Sequence, residues 1–231
     1  MLEASGELAT TRGLKLTMYA MLLIAALKLA QIGLGWLATA VEFPIVAGYS
    51  LIAWVSILVL SPLMMVALLL AVGGSYLSFR GTIFVWAKRF AIGAMAAFTV
   101  ALMVRAISWL LGWLPYETQF DLGILSPYSL GPKGTGMLMI AMGIYMYYLL
   151  ALDAGDEFPG GLGMRGGRVL FVPLAPILVG GVILFAGEDF RFDMAGWAVL
   201  AAAGLTAFSI YNRIPPEPIM AEVKDSGAMP R

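Results

Sequence analysis

Two basic residues lie inside long apolar runs of this chain. Arg105 falls just past the middle of the run at residues 90–114, and Lys28 falls near the midpoint of the run at residues 16–41. About 20 apolar residues of helix cross a bilayer core, so both runs have membrane-spanning length. A charge held at that depth costs from about 3 kcal/mol on insertion scales to more than about 10 kcal/mol in simulations. We therefore expect both side chains to face protein, water or an anion rather than lipid.

No acidic residue lies comparably deep in any apolar run, since Glu42 and Asp153 sit near opposite surfaces. Three partners would neutralise the two cations: a carboxylate on a helix of another subunit, an anionic substrate or lipid head group, or a polar ligand such as a quinone. The structural alternative is that the side chains reach toward the membrane surface, or bond backbone carbonyls exposed near Pro62, Pro173 or Pro176. We predict helix kinks at these three prolines, because proline removes a backbone hydrogen bond.

Two further polar residues accompany the cations at helical spacing. Gln31 follows Lys28 by three residues, and Ser108 follows Arg105 by three. Residues three apart share a face of a helix. The four side chains therefore form a candidate intramembrane pocket for a partner or ligand, provided that the two helices touch.

A loop rich in acids and glycines forms a weaker candidate site. Asp153, Asp156 and Glu157 precede several glycines and the bases Arg165 and Arg168. Carboxylates at this spacing can hold Mg²⁺, while glycine amides and arginines contact phosphate. Membrane enzymes acting on lipid diphosphates need a second acidic cluster, which no other loop on this side supplies. We therefore favour a solvated turn and expect no metal here.

Composition bounds the class of protein. Of 231 residues, 61% are hydrophobic and 12% charged, the formal net charge is zero, and the mean hydropathy is +0.91. Soluble domains are roughly a quarter charged, so this is a polytopic membrane protein, in contact with membrane lipids, that has no basic field for nucleic acid. The chain contains no cysteine and no histidine. We therefore expect no metal or haem ligated by those residues, and the cofactor, if any, stays unknown.

The apolar runs predict an all-α bundle of about six transmembrane helices in one domain, residues 1–212, followed by a mobile cytoplasmic tail, residues 213–231. The predicted spans cover residues 16–41, 46–72, 90–114, 137–152, 169–186 and 197–211. The second apolar stretch is long enough to hide two short helices meeting at Ser61 and Pro62. One kinked helix agrees better with the distribution of bases, because it returns Arg80, Lys88 and Arg89 to the side of Arg12. The same rule predicts that both termini are cytoplasmic, in a bacterial inner membrane.

Three functions are compatible with these features. The sequence favours a non-catalytic integral subunit of a larger inner-membrane complex, assembled through the buried cations and small-residue helix faces. Its partners would be other membrane subunits, one of them with an intramembrane Asp or Glu. The second hypothesis is a small transporter or channel for an anionic or polar solute. The third is a Mg²⁺-dependent enzyme acting on lipid diphosphates through the acidic loop. The sequence favours a protein without catalytic activity over this hypothesis.

Overall fold

The computed structural model describes residues 2–41, 44–46, 49–114, 118, 122, 125–155 and 172–186. Within these residues the chain forms five helices: α1 (Leu2–Ala40), α2 (Leu51–Gly81), α3 (Val85–Leu111), α4 (Pro127–Ala154) and α5 (Leu174–Ala186). A two-residue antiparallel ribbon, β1 (Ile45–Val46) and β2 (Tyr49–Ser50), joins α1 to α2. The protein is therefore helical, as the sequence predicts, and the ribbon is a minor addition.

Four of these helices are long and apolar enough to cross a membrane. The qualifying segments are Ala9–Gln31, Leu51–Gly81, Val85–Leu111 and Ser129–Ala154. They correspond to the first four predicted spans. Helix α5 has 13 residues, or about 20 Å at 1.5 Å per residue, which is shorter than a bilayer core of about 30 Å. The sixth predicted span, residues 197–211, and the predicted tail lie outside the described residues.

Helix α2 is one continuous helix rather than two short ones. It begins at Leu51 and is capped by Ser50, whose side chain accepts a hydrogen bond from the backbone N–H of Ala53 at 3.3 Å. The segment Ser56–Leu60 is π-helical, and the N–H of Ser61 bonds the carbonyl of Ser56 across this wider turn. Pro62 comes next and has no N–H to offer Leu58. The irregularity expected at this proline therefore takes the form of a π-helical turn in an otherwise intact helix.

Helix α4 starts ten residues before the predicted span, at Pro127 instead of residue 137. Ser126 forms its N-cap and accepts a hydrogen bond from the N–H of Ser129 at 3.2 Å, and Pro127 occupies the first turn. Serine before proline is a common helix start. The predicted spans leave residues 115–136 as a connection between the third and fourth helices, and that prediction is wrong from Pro127 onward.

The helices pack mainly against their neighbours in the chain, α1 on α2, α2 on α3, α3 on α4, and α4 on α5. One buried cluster fills the space between the first four helices. Its largest fully buried members include Met18, Met21, Met64, Leu68, Phe98, Met142, Tyr145 and Leu149. Methionine fills irregular gaps well. Five residues of α4 thus belong to the interior of the bundle: Met139, Met142, Tyr145, Met146 and Tyr148.

Glycines permit two close helix crossings. A Cβ on Gly74 of α2 would lie 2.7 Å from the backbone nitrogen of Thr17 and 2.9 Å from the carbonyl oxygen of Gly13, both in α1. A Cβ on Gly136 of α4 would lie 2.7 Å from the carbonyl oxygen of Gly180 in α5. Small residues let the backbones of membrane helices approach this closely. The two crossings hold α1 against α2 and α5 against α4.

Candidate functional site

The two predicted cations line the same cavity. Lys28 comes from α1 and Arg105 from α3, and the cavity between them has a volume of about 10 Å³. Thr135 of α4 is the third polar residue on its wall. The other described lining residues are Met64, Leu68, Ala101, Gly134 and Leu138. Helices α1 and α3 thus contribute to one site. The pocket predicted from the sequence requires this, because its two cations come from these two helices.

Lys28 is buried, with 6% of its surface exposed, and its ammonium group has a partner in α4. The Nζ atom donates a hydrogen bond to the hydroxyl oxygen of Thr135 at 3.3 Å. That hydroxyl in turn donates to the backbone carbonyl of Gly131 at 3.3 Å. The proton of the Thr135 hydroxyl is therefore already engaged, and the residue presents its oxygen to the lysine.

Arg105 points toward the irregular turn of α2. Its Nη2 atom donates to the hydroxyl oxygen of Ser61 at 3.4 Å, next to Pro62. A guanidinium carries five N–H donors, so one hydroxyl satisfies only part of its capacity. The sequence offered backbone carbonyls near Pro62 as hydrogen-bond acceptors for the cations. The described partner of Arg105 is instead a side chain at that place.

The carbonyl of Ile57, which the π-helical turn leaves without its usual donor, is used by another residue of α3. In a regular helix the Ile57 carbonyl would accept from the N–H of Ser61, but that N–H bonds Ser56 in the π-helical turn. Trp109 fills the position, since its Nε1 donates to the Ile57 carbonyl at 2.9 Å. A buried carbonyl without a partner costs about 1 to 3 kcal/mol. Arg105 and Trp109, one helical turn apart, thus dock α3 onto the same turn of α2.

The residues that line the cavity lie at different positions along their helices. Arg105 is within the last two turns of α3, about 9 Å along the axis from Leu111. Lys28 is in the last turn of the apolar segment Ala9–Gln31, and Thr135 is near the start of α4. Met64 and Leu68 lie near the middle of α2.

The two companion residues predicted for the pocket do not line it. Ser108 is buried, and its hydroxyl donates to the backbone carbonyl of Pro127 at 3.3 Å, where α4 begins. Gln31 is half-buried and is not among the residues of the cavity wall. Spacing of three residues places a side chain on the same helix face, but not at the same depth. Thr135 supplies a hydroxyl on the cavity wall, and Ser61 supplies the hydroxyl that bonds Arg105.

Sequence reasoning missed Thr135 and Ser61 for different reasons. Thr135 precedes the predicted fourth span, residues 137–152, so hydropathy gave no reason to place it inside the bundle. Ser61 could have been found, because it directly precedes Pro62 inside an apolar run. A hydroxyl beside a helix-distorting proline is a candidate partner for a buried donor.

The remaining predicted residues lie away from the cavity. Pro173 immediately precedes α5 and Pro176 lies in its first turn, where a missing N–H breaks no helical bond. Both prolines thus lie at the beginning of the described helix rather than in its interior. Asp153 is 2% exposed near the end of α4, so it is not the solvated charge that we expected. Asp156 and Glu157 fall outside the described residues.

No metal site is seen in the part of the chain that the structure describes. Within it, no group of three or more His, Cys, Asp or Glu side chains comes together. The described residues of the cavity wall also contribute no carboxylate. The chemistry available at the cavity is therefore that of cations and hydroxyls.

A second buried polar cluster lies away from the cavity. The hydroxyls of Ser78 and Tyr145 lie 3.1 Å apart, and those of Thr82 and Tyr148 lie 2.9 Å apart. These pairs satisfy one another in the interior, as buried polar groups generally must. They link α2 to α4 and stabilise the bundle, and they make no described contact with the cations.

Two basic side chains, Lys28 and Arg105, line the cavity, and Thr135 adds a hydroxyl group. The chain matches no protein-family model, no curated protein and no solved structure, so Lys28, Arg105 and the cavity between them are the basis for a functional hypothesis.

Proposed function

We propose that this protein is a small membrane transporter or channel for an anion, which binds between Lys28 and Arg105. The observation that carries the proposal is the convergence of both cations on one cavity inside a bundle of membrane-length helices. Charged residues that face the interior of a membrane protein are costly and commonly line the path of an ion or substrate. A pathway for an anion explains why two of them are held together.

This proposal reverses the order of the two leading hypotheses drawn from the sequence. A subunit that recruits an acidic helix needs its cations on the outer surface of the bundle. Lys28 is buried, and its ammonium group bonds Thr135 within the same chain. Assembly with another subunit is therefore the alternative, with an intramembrane carboxylate of that subunit taking the place of the anion.

A flux assay tests the proposal directly. Purified protein is reconstituted into liposomes, and the movement of chloride, nitrate, phosphate and sulfate is followed separately. We expect at least one anion to cross faster than through protein-free liposomes. Lys28→Met and Arg105→Met should each lower that flux about tenfold to a hundredfold, because a hydrogen bond to a charged group contributes about 1.5 to 3 kcal/mol.

Arg89→Met is the matched control. Arg89 lies on the same helix as Arg105 and has the same charge, but it is exposed, with its guanidinium 4.8 Å from the Trp86 ring centroid. Its substitution should leave the flux unchanged. Failure of every anion to cross, or equal flux in the wild type and both cavity variants, would refute the proposal. Co-purification of a second chain that Arg105→Met loses would establish the assembly alternative in its place.

A further inference from the structure

We propose that the end of α2, together with Lys88 of α3, binds the head group of a phospholipid that carries a net negative charge. The two bases of the site are Arg80 and Lys88, which lie on either side of the short turn between α2 and α3. The site is separate from the cavity between Lys28 and Arg105. Three features carry the inference: the aromatic rings that hold the bases, their place at a helix end, and an exposed apolar stripe on α2.

Two aromatic rings of α2 hold the bases on one face of the helix. The guanidinium carbon of Arg80 lies 5.8 Å from the centroid of the Tyr76 ring, and Nζ of Lys88 lies 5.9 Å from that of the Phe79 ring. Cations within about 6 Å of a ring centroid are attracted to the ring. Tyr76, Phe79 and Arg80 are neighbours on the helix surface, because residues three and four apart share a face. Lys88 thus reaches from α3 to the face of α2 that carries Arg80.

The two bases keep their charge available for an anion. Within the part of the chain that the structure describes, neither Arg80 nor Lys88 forms an ion pair with a carboxylate. An aromatic ring positions a cation without neutralising it. Arg80 is exposed and Lys88 is half-buried, so a ligand at the surface of the bundle can contact both.

The length of α2 allows these bases to lie among lipid head groups. The segment Leu51–Gly81 has 31 residues, or about 46 Å at 1.5 Å per residue, whereas a hydrocarbon core is about 30 Å thick. Arg80 lies in its last turn, and Lys88 lies in the first turn of α3. Basic residues next to a membrane-spanning helix attract anionic lipids.

An exposed apolar stripe distinguishes a lipid from a soluble anion. Val66, Leu69 and Tyr76 are exposed, and they precede Arg80 on the same face of α2. From Leu69 to Arg80 the helix rises about 16 Å, close to half the thickness of a bilayer core. One acyl chain can therefore lie along the stripe while the phosphate contacts Arg80 and Lys88. A soluble anion would gain nothing from the stripe.

Native mass spectrometry of the purified protein in detergent measures lipid binding directly. The protein is titrated with phosphatidylglycerol, which has a net negative charge, and separately with phosphatidylcholine of the same acyl chains, which is neutral overall. Each base near an anionic head group contributes about fivefold in affinity. We therefore expect phosphatidylglycerol to bind at least about tenfold more tightly.

Single substitutions locate the site. Arg80→Gln and Lys88→Gln should each lower the affinity for phosphatidylglycerol about fivefold and leave that for phosphatidylcholine nearly unchanged. Arg80→Lys keeps the charge and should retain most of the affinity. Arg89→Gln is the matched control, because Arg89 is next to Lys88 in sequence and exposed, but its guanidinium lies 4.8 Å from the Trp86 ring centroid on its own helix. At an ionic strength of about 0.15 M, which screens charges outside the contact, it should change the affinity by less than about twofold.

Four results would overturn the inference. The first two are equal binding of the two lipids, and undiminished phosphatidylglycerol binding in the double variant of Arg80→Gln and Lys88→Gln. The third is a loss in Arg89→Gln as large as that in Lys88→Gln, which would reduce the effect to general surface charge. The fourth is displacement of the lipid by an equal concentration of glycerol 3-phosphate, which would make the ligand a soluble phosphate. The flux of anions through the cavity is tested by other residues, so either proposal can fail alone.

Discussion

The crossing of α1 and α2 at Gly74 allows a sharp test of the fold, because the neighbouring Gly73 provides a control in the same helix. A Cβ at Gly74 would lie 2.7 Å from the backbone nitrogen of Thr17 and 2.9 Å from the Gly13 carbonyl oxygen. A Cβ at Gly73 would lie 3.9 Å from a methyl group of Leu16. Favourable carbon contacts begin at about 3.5 Å. Only the Gly74→Ala substitution therefore forces the backbones apart, by about 1 Å.

The magnitude follows from two opposing effects. Replacing glycine with alanine inside a helix stabilises it by about 1 kcal/mol. Extra volume in a packed interior costs typically about 1 to 3 kcal/mol, and at Gly74 the obstructing atoms are backbone that cannot rotate away. At the upper end of that packing cost, about 3 kcal/mol, the gain of about 1 kcal/mol from alanine is outweighed. We therefore expect Gly74→Ala to lower the free energy of unfolding by about 2 kcal/mol. Gly73→Ala should raise it by as much as about 1 kcal/mol.

Unfolding in mixed micelles, followed by tryptophan fluorescence as the fraction of denaturing detergent increases, measures both variants against the wild type. The midpoint should fall for Gly74→Ala and rise or stay for Gly73→Ala. Equal midpoints for the two variants would refute the close crossing of α1 and α2. The crossing also determines where Lys28 sits, since Lys28 lies on α1 about three turns beyond Thr17.

Two further predictions concern the contacts that join the helices. Trp109→Phe should lower the free energy of unfolding by about 1 to 3 kcal/mol, because the Ile57 carbonyl loses its donor; Trp86→Phe, at an exposed position, should change it little. Tyr148→Phe and Thr82→Val should each cost about 1 kcal/mol through their shared hydrogen bond. The double variant should cost less than the sum of the two, and strict additivity in this double-mutant cycle would show that the hydroxyls do not interact.

Much of the membrane architecture follows from hydropathy alone. Each of the first four predicted spans corresponds to a helix of membrane-spanning length, because apolar runs have no other stable conformation in a bilayer. The ends of the helices were harder to predict. Hydropathy does not register capping, so the Ser126 cap and the Gly- and Pro-containing start of α4 were taken for a loop.

The candidate site, too, could be predicted from the sequence only in part. That Lys28 and Arg105 need partners follows from the cost of burying charge. Their partners, however, come from residues far away in sequence, Thr135 for the lysine and Ser61 for the arginine. Spacing within one helix pointed to Gln31 and Ser108, which share a face with the cations but not the cavity.

The sequence by itself determined that the chain is a helical membrane protein with two basic residues inside its apolar runs, since composition and period are properties of local segments. Only the tertiary structure decided that these two residues line one cavity. That outcome depends on where α1 crosses α2 at Gly13 and Gly74, and on how α3 docks onto the turn before Pro62. Such crossings are set by backbone contacts between distant segments, which local patterns in a single sequence do not encode.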